Sequence, residues 1–329
     1  MAETTHEGNR REPPLSRFMR ETGYLVLVFL TIVALFSLGA RYRWYFELAP
    51  NFQLVYFGLA LFALALLSLT RSRRGVVLAL MFAAFHGWQI APYVPWSGAA
   101  HADTDRVRVM LANVLTINQD YEAFREEVER HQPDILCVQE VGAGWKAVLE
   151  GLRETYPYQR MEAREDNFGI ALASRWPLHD VAFKELGGVT VPAILATVET
   201  PRGPLRLLDL HTIPPMFKHM AAGRNRQLAE AAQIARDAQT PFALVGDLNM
   251  TPWSPYFSDL IERSGLVNTR LGRGPMPTWP VSALHPVLLP IDHVLVSNDI
   301  NMLGLHRGGR TGSDHLPVIA DLQLPRRAD

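Results

Sequence analysis

The chain has 329 residues, a formal net charge of −1 and a single cysteine, Cys137. One cysteine excludes an intrachain disulfide framework, and the balanced charge argues against a strongly basic protein that grips nucleic acid through charge alone. The net charge differs between the N-terminal and C-terminal parts of the chain. The first 99 residues hold nine arginines and five glutamates, which leaves 23 basic and 28 acidic residues, a formal charge of −5, for residues 100–329.

Three apolar segments occupy the first hundred residues, at 23–40, 52–70 and 76–94. Each is close to the roughly 20 residues that a helix needs to cross a bilayer. A cleaved signal peptide would contribute one such segment and not three. Residues 1–94 are therefore predicted to form a membrane anchor of three transmembrane helices, with buried core helices as the alternative interpretation.

Charged and aromatic residues orient these predicted spans. Arginines precede the first span and lie between the second and third: Arg10, Arg11, Arg17, Arg20, Arg71, Arg73 and Arg74. Aromatic residues cluster at the other ends of the spans: Tyr42, Trp44, Tyr45, Trp88, Tyr93 and Trp96. The positive-inside rule places the arginines in the cytoplasm. We therefore expect a multi-pass protein of the inner membrane whose C-terminal domain is extracytoplasmic or periplasmic.

A short polar linker is predicted at 95–105, followed by a catalytic domain at 106–324. In this domain, apolar runs typical of buried strands repeatedly end or begin at polar residues. In chain order these residues are Asn113, Glu140, His211, Asp247, Asn249, Asp292, Asp314 and His315. Unrelated strand-end caps would require the same coincidence several times, so we expect the residues to form one site.

The residue types suit the hydrolysis of a phosphodiester. Carboxylate and amide oxygens favour Mg²⁺ or Mn²⁺, and neither cysteine nor a cluster of histidines indicates a zinc site. Histidine can donate or accept a proton near neutral pH.

Five short motifs occur in the order found in the endonuclease/exonuclease/phosphatase superfamily, which the chain resembles over roughly residues 105–324. They are LANV at 111–114, VQEV at 138–141, GDLN at 246–249, IDHVLVS at 291–297 and SDH at 313–315. The resemblance implies a four-layer α/β sandwich, two mixed β-sheets flanked by helices, and a Mg²⁺- or Mn²⁺-dependent phosphoesterase.

The resemblance also implies metal-binding residues. Glu140 matches the principal metal ligand, and Asn113 lies close to the same ion. Asp314 matches either a second carboxylate beside the metal or the partner of a histidine.

The remaining matches are to catalytic residues. Asp247 matches the carboxylate that orients or deprotonates the attacking water, and Asn249 matches an amide that holds the phosphate or the metal. His315 matches an imidazole that contacts the phosphate, and Asp292 matches an acid that orients a neighbouring group. His211 resembles the histidine of DNase I that is a candidate general acid.

Two departures from the superfamily bear on substrate. The chain has no convincing equivalent of the tyrosine that contacts phosphate in AP endonucleases, and segment 188–198 lacks the arginine with which DNase I touches DNA. Binding of duplex DNA is therefore possible but not favoured. The long loop 270–290 is expected to carry specificity, and its Trp279 is expected to stack on a base, meet lipid or pack on its own loop.

Helices are predicted near 119–131, 143–154, 222–238 and 254–263. Glu126, Glu127 and Glu129 are interpreted as the exposed face of the first of these helices. Arg224 and Arg226 are interpreted as a solvated helix face, with flanking the site entrance as the alternative.

The sequence thus predicts a membrane-anchored, metal-dependent phosphodiesterase acting on a phospholipid headgroup or a similar extracytoplasmic phosphodiester. A metal-dependent nuclease is the first alternative. A binding module that has lost turnover on the same fold is the second, although it would be expected to have lost one of the site residues. Oligomeric state is not predicted.

Overall fold

A computed structural model describes residues 13–95, 106–282 and 289–325. Residues 96–105 of the predicted linker lie outside the described residues, as do Arg10, Arg11 and Trp96. The division into anchor, linker and catalytic domain at these positions stays a prediction.

Three long helices form the N-terminal region: α1 (Pro14–Leu38), α2 (Gln53–Leu69) and α3 (Arg73–Ile90). Short 3-10 helices lie at Phe46–Phe52 before α2 and at Ala91–Tyr93 after α3. All three long helices are long and apolar enough to cross a membrane, as predicted, when α2 is taken together with the 3-10 helix that precedes it. Helix α1 begins nine residues before the predicted span, since Pro14 suits a first helical turn and the added residues include charged ones.

Small residues bring the arginine-bearing ends of these helices together. A Cβ on Gly23 of α1 would lie 2.7 Å from the Cγ atom of Leu67 on α2, and one on Gly75 of α3 would lie 2.9 Å from a Leu67 methyl. The Tyr24 hydroxyl is 2.9 Å from that of Ser72. The start of α1 therefore lies beside the connection between α2 and α3.

Two six-stranded mixed sheets form the C-terminal region. The first has the order β11-β12-β1-β2-β4-β3, and the second has the order β5-β6-β7-β8-β10-β9. The strands are β1 (Val107–Asn113), β2 (Ile135–Gln139), β3 (Tyr158–Glu162), β4 (Ile170–Ser174), β5 (Leu178–Glu185), β6 (Pro192–Thr200), β7 (Gly203–Leu210), β8 (Phe242–Asp247), β9 (Val267–Asn268), β10 (Asp292–Val296), β11 (Asn301–Arg307) and β12 (Val318–Gln323).

The four remaining helices cover the outer faces of the sheets. They are α4 (Tyr121–His131), α5 (Ala143–Glu150), α6 (Lys218–Arg236) and α7 (Pro255–Ser264). One apolar core lies between the sheets and contains Cys137, and two more lie between each sheet and its helices. Central strands are buried on both faces, which is why they occur in the sequence as continuous apolar runs. The predicted fold class is confirmed.

One interpretation of α4 is wrong. Glu127 was assigned with Glu126 and Glu129 to an exposed face, but Glu127 is only 2% exposed. Its carboxylate accepts a hydrogen bond from the Gly309 amide at 2.6 Å and pairs with Arg130 and His131 of its own helix. The backbone amide that it meets comes from a distant loop, which helical periodicity cannot reveal.

Parallel strand pairs bring the polar residues together at one edge of the sandwich. Strands β1 and β2 run parallel in the first sheet, as do β7 and β8 in the second, so the ends of all four open toward the same region. Strand β10 runs antiparallel to β8, with Asp292 opposite Asp247. Residues as far apart in the chain as Asn113 and His315 thereby meet at the edge between the two sheets.

Candidate active site at the open edge of the sheets

The first sheet contributes an amide and a carboxylate that contact each other. Asn113, the last residue of β1, donates from Nδ2 to Glu140 Oε1 at 2.8 Å and lies 3.3 Å from Asp247 Oδ2 of the other sheet. Asn113 is held in turn by Ser313, whose hydroxyl donates to its carbonyl at 2.7 Å. The predicted neighbourhood of Asn113 and Glu140 is therefore present, and it includes Asp247.

Glu140 follows β2 with a left-handed backbone, at φ 61°. Such a conformation is unfavourable for a residue other than glycine and is retained where the surrounding contacts determine it. Here the Thr116 hydroxyl donates to the Glu140 carbonyl at 3.1 Å and the Thr116 amide approaches Oε2 at 3.4 Å. Burial raises the pKa of Glu140, and the hydrogen bond from Asn113 opposes that rise.

Asp247 and Asp292 of the second sheet form a compact group with His315, which precedes β12 of the first sheet. The potential ligand atoms of the three residues lie within 4.8 Å of one another. His315 Nδ1 is 2.9 Å from Asp292 Oδ2, and His315 Nε2 is 3.8 Å from Asp247 Oδ2. All three side chains are almost fully buried. The imidazole therefore lies between the two carboxylates and is oriented by Asp292.

Charge inside this group is strongly coupled. Burial acts to lower the pKa of His315, but the Asp292 charge and hydrogen bond outweigh it and raise that pKa to about 10. Burial also acts to raise the pKa of Asp292, but His315 outweighs it and lowers the value. Burial and the neighbouring Asp292 raise the pKa of Asp247 to about 7. His315 and Asp292 thus form an ion pair, while Asp247, with a pKa of about 7, is close to half-protonated at neutral pH.

His211, the residue after β7, lies beside the same group. Its Nε2 atom is 3.7 Å from Asp247 Oδ2, and its ring lies 5.3 Å from that of Phe168. Burial, with a smaller effect of His315, lowers the pKa of His211 to about 3. The imidazole is therefore neutral at pH 7. Protonation for a role as general acid would require a bound anion to raise its pKa.

Asn249 lies in a tight turn that follows β8. Its backbone is left-handed, at φ 47°, its amide donates to Asp247 Oδ1 at 2.8 Å and its side chain donates to the Thr212 carbonyl at 2.8 Å. Close strand packing precedes the turn, since a Cβ on Gly246 would lie 1.8 Å from the Leu210 carbonyl oxygen. This contact explains why GDLN requires its glycine.

Asp314 is placed differently from the other predicted ligands. Its Oδ2 atom accepts a hydrogen bond from Trp279 Nε1 at 2.8 Å, and its carbonyl accepts one from the Val281 amide at 2.7 Å. The Trp279 ring is 6.3 Å from that of His315. Trp279 also pairs with Leu289 of its own loop, its amide donating to the Leu289 carbonyl at 3.0 Å, so it packs on that loop and tethers it to the site. A role in stacking on a base or meeting lipid stays a prediction. A metal-binding role for Asp314 stays a prediction.

Two buried residues that support the site were missed in the sequence. Arg270 is fully buried, donates to the Asp292 carbonyl at 2.5 Å and lies 3.3 Å from His293 Nδ1, while burial lowers its pKa to about 10. Asp209 is fully buried and accepts from Gln139 Nε2 at 2.6 Å, which joins the two sheets. Neither lies in a motif, and only pairing across the fold reveals them.

The donor set fits a divalent cation. Four carboxylates, those of Glu140, Asp247, Asp292 and Asp314, lie near two cations, His315 and the buried Arg270. If all four carboxylates ionise, two negative charges are left without compensation, which is unfavourable in a buried site. Oxygen ligands with one imidazole suit a divalent cation, and the ligand atoms of Asp247, Asp292 and His315 lie close enough together to share one.

A family model described as the endonuclease/exonuclease/phosphatase family matches residues 110–315, well over half of the chain. The chain belongs to this family. Members of the family are phosphoester hydrolases and generally use divalent metals. No curated protein matches the chain significantly by sequence.

Solved structures of the family share the fold of the catalytic region. An endonuclease/exonuclease/phosphatase from Beutenbergia cavernae is 19% identical, with a TM-score of 0.53 over 67% of this chain and 72% of that one. TDP2 of D. rerio, complexed with a single-strand DNA product, is 14% identical, with a TM-score of 0.57 over 67% and 100%. Sphingomyelinase C from Streptomyces griseocarneus is 16% identical, with a TM-score of 0.50 over 66% and 99%. At these identities, the similarity establishes the fold and not the substrate.

Proposed function

We propose that this family member is a membrane-anchored, divalent-metal-dependent phosphodiesterase that acts on an extracytoplasmic phosphodiester, best matched by a phospholipid headgroup. The observation that carries the proposal is the buried group of Asp247, Asp292 and His315, with Glu140 and Asn113 beside it, in a chain that has three helices able to span a membrane.

Each side chain has a role that follows from its contacts. The pKa of Asp247 is about 7, close to neutral pH, so this carboxylate is suited to orient a water molecule and accept a proton from it. His315, held protonated by Asp292, is suited to bind a non-bridging phosphate oxygen as charge develops there. His211 is buried beside Asp247 and is suited to protonate the leaving alkoxide once the phosphate is bound. A cation held by Glu140, with Asn113 close to it, would supply further charge neutralisation on the phosphate.

Placement outside the cytoplasm is supported by the two ends of the anchor. Arg17, Arg20 and residues 71–74 belong to the end where α1 begins and α2 meets α3. The catalytic region contacts the other end, where Arg41 pairs with Asp259 at 2.7 Å and the Trp253 indole donates to the Gln89 carbonyl at 3.0 Å. The positive-inside rule assigns the arginine-rich end to the cytoplasm and the catalytic end to the opposite side.

A lipid substrate is favoured over nucleic acid by charge and position. Residues 100–329 carry a formal charge of −5, whereas nonspecific binding of nucleic acid depends on neutralising phosphates with basic side chains. Direct contacts between the catalytic region and the outer end of the anchor also keep the site near a bilayer surface.

The test is an assay of the purified full-length chain in detergent micelles. We expect hydrolysis of bis-p-nitrophenyl phosphate with Mg²⁺ or Mn²⁺, loss of activity in EDTA, and hydrolysis of a phospholipid in mixed micelles. Single- and double-stranded DNA serve as competing substrates, and faster turnover of DNA would favour a nuclease. Full activity in excess EDTA, or no hydrolysis of any of these substrates, would contradict the proposal.

A further inference from the structure

A buried ion pair joins the anchor to the catalytic region. Glu47 lies on the 3-10 helix between α1 and α2 and is 1% exposed, and Arg224 of α6 is fully buried. Arg224 Nη2 is 2.5 Å from Glu47 Oε2, and the Ser254 hydroxyl donates to Glu47 Oε1 at 2.8 Å. Arg224 was interpreted from the sequence as part of a solvated face. That interpretation is wrong, since Arg224 is fully buried. Its carboxylate partner lies 177 residues away in the chain, where local periodicity cannot reveal it.

The same network reaches the turn that follows Asp247. Arg224 Nη1 approaches the carbonyl of Asn249 at 3.4 Å. Thr251 lies two residues after Asn249. Its amide donates to Asn51 Oδ1 at 3.0 Å, and its hydroxyl donates to the same atom at 2.8 Å. Asn51 Nδ2 donates back to the Glu47 carbonyl at 2.8 Å, so the two anchor residues brace each other.

This turn has little freedom to move without affecting the site. Asn249 has a left-handed backbone, and its amide donates directly to Asp247 Oδ1. Asparagine tolerates the left-handed conformation better than most residues, but Asn249 is also fixed by its side-chain bond to Thr212 and by the approach of Arg224 to its carbonyl. The Arg224 and Thr251 contacts are in turn stabilised by the anchor residues Glu47 and Asn51.

We propose that the loop between α1 and α2 is a structural part of the active site, in which Glu47 and Asn51 are positioning residues that hold the Asp247–Thr251 turn. The anchor would then do more than keep the enzyme at the membrane. This proposal rests on the proposed hydrolase activity only for the measurement of kcat and KM, and the exchange measurement does not depend on that activity.

The two kinds of contact across this interface differ in a way that provides a control. Arg41 and Asp259 also join the anchor to the catalytic region, but their side chains are 55% and 23% exposed, and Asp259 lies on α7. A largely solvated pair contributes little stability, whereas removal of one partner from a buried pair leaves an uncompensated charge. Asp259→Asn therefore weakens the same interface without disturbing the turn.

The experiment compares Glu47→Gln, Asn51→Ala and Asp259→Asn with the wild type, each as the full-length chain in detergent. Hydrogen–deuterium exchange is followed in peptides covering residues 246–254, and kcat and KM for bis-p-nitrophenyl phosphate are measured at saturating Mg²⁺. Glu47→Gln and Asn51→Ala should speed exchange in this segment and lower kcat by about 10-fold or more, because small displacements of catalytic groups are costly. Asp259→Asn should match the wild type in both measurements.

The outcomes separate the two proposals. Wild-type exchange and kcat in both Glu47→Gln and Asn51→Ala would overturn the positioning role, as would equal changes in Asp259→Asn. If Glu47→Gln fails to fold, Asn51→Ala decides alone, since it removes hydrogen bonds without leaving a buried charge. If the wild type hydrolyses no substrate, the proposed function fails, and the exchange data still decide whether the anchor holds the turn.

Discussion

The anchor and the sandwich use apolar residues in opposite ways. In the most apolar stretches of the three N-terminal helices, only 22%, 28% and 22% of the residues are buried within the protein. The central strands of both sheets, in contrast, are buried on both faces. Exposed apolar helices of this length are suited to a lipid environment. Where the two regions meet, however, the contacts include buried polar side chains such as Glu47, Asn51 and Arg224. Composition therefore distinguishes the regions but does not describe how they are joined.

The largest expected effect concerns the side of the membrane on which each region lies. An alkaline phosphatase fusion after Asp329 should be active in a bacterial host, and the same fusion within residues 71–74 should be inactive, because arginine-rich loops stay in the cytoplasm. Matched expression levels, measured by immunoblot, are the control. The reverse pattern of activity would place the catalytic region in the cytoplasm and remove the reason for an extracytoplasmic substrate.

A smaller but still large effect is expected within the second sheet. Asp292→Asn should lower kcat by about 10²- to 10³-fold, the usual contribution of one group that stabilises charge developing in the transition state, because His315 loses the carboxylate that orients and charges it. The matched control is Asp299→Asn, which changes a carboxylate outside the site that accepts a hydrogen bond from the Ser297 hydroxyl. Similar kcat values for the two variants, measured at saturating Mg²⁺, would show that His315 does not depend on Asp292.

In the first sheet, the expected effect is on metal affinity. Glu140→Gln should raise the Mg²⁺ concentration at half-maximal activity by about 10-fold or more, and excess metal should restore part of the rate. Glu126→Gln, on the exposed side of α4, should leave the midpoint unchanged. An unchanged midpoint in Glu140→Gln with a lower plateau rate would instead assign Glu140 to the chemical step.

The smallest expected effect is on stability in EDTA. His315 has a folded-state pKa of about 10, above its ordinary 6.5, so the folded state binds a proton that the unfolded state has released. Its contribution is complete below pH 6.5 and is lost as the pH rises toward 10. The melting temperature of the metal-free wild type should therefore fall more steeply between pH 7 and 9.5 than that of His315→Gln, measured by differential scanning fluorimetry. Parallel pH profiles for the two proteins would contradict the raised pKa.

Local patterns were sufficient for features whose physical cause is local. A helix that crosses a membrane needs only an uninterrupted apolar stretch, and a strand buried on both faces needs only a short apolar run. The polar residues at the ends of these strands were recognisable because parallel strands open toward one edge. For this reason the sequence predicted the neighbourhood of Asn113, Glu140, Asp247, Asp292 and His315, together with the fold class and the family.

Residues whose partners lie far away in the chain could not be assigned in this way. Arg224 and Glu127 resemble solvated helix residues because local periodicity carries no information about a carboxylate or an amide contributed by another element. Arg270 and Trp279 lie in a loop whose course is set by contacts with Asp292 and Asp314.

By itself, the sequence determined the chemistry present at the strand ends and the presence of three apolar helices long enough to cross a membrane. Only the tertiary structure decided that Asp292 orients His315 and that Glu47 faces Arg224. A buried charge is tolerated only where the complete fold brings a partner to it, so its role is set by the fold and not by its neighbours in sequence.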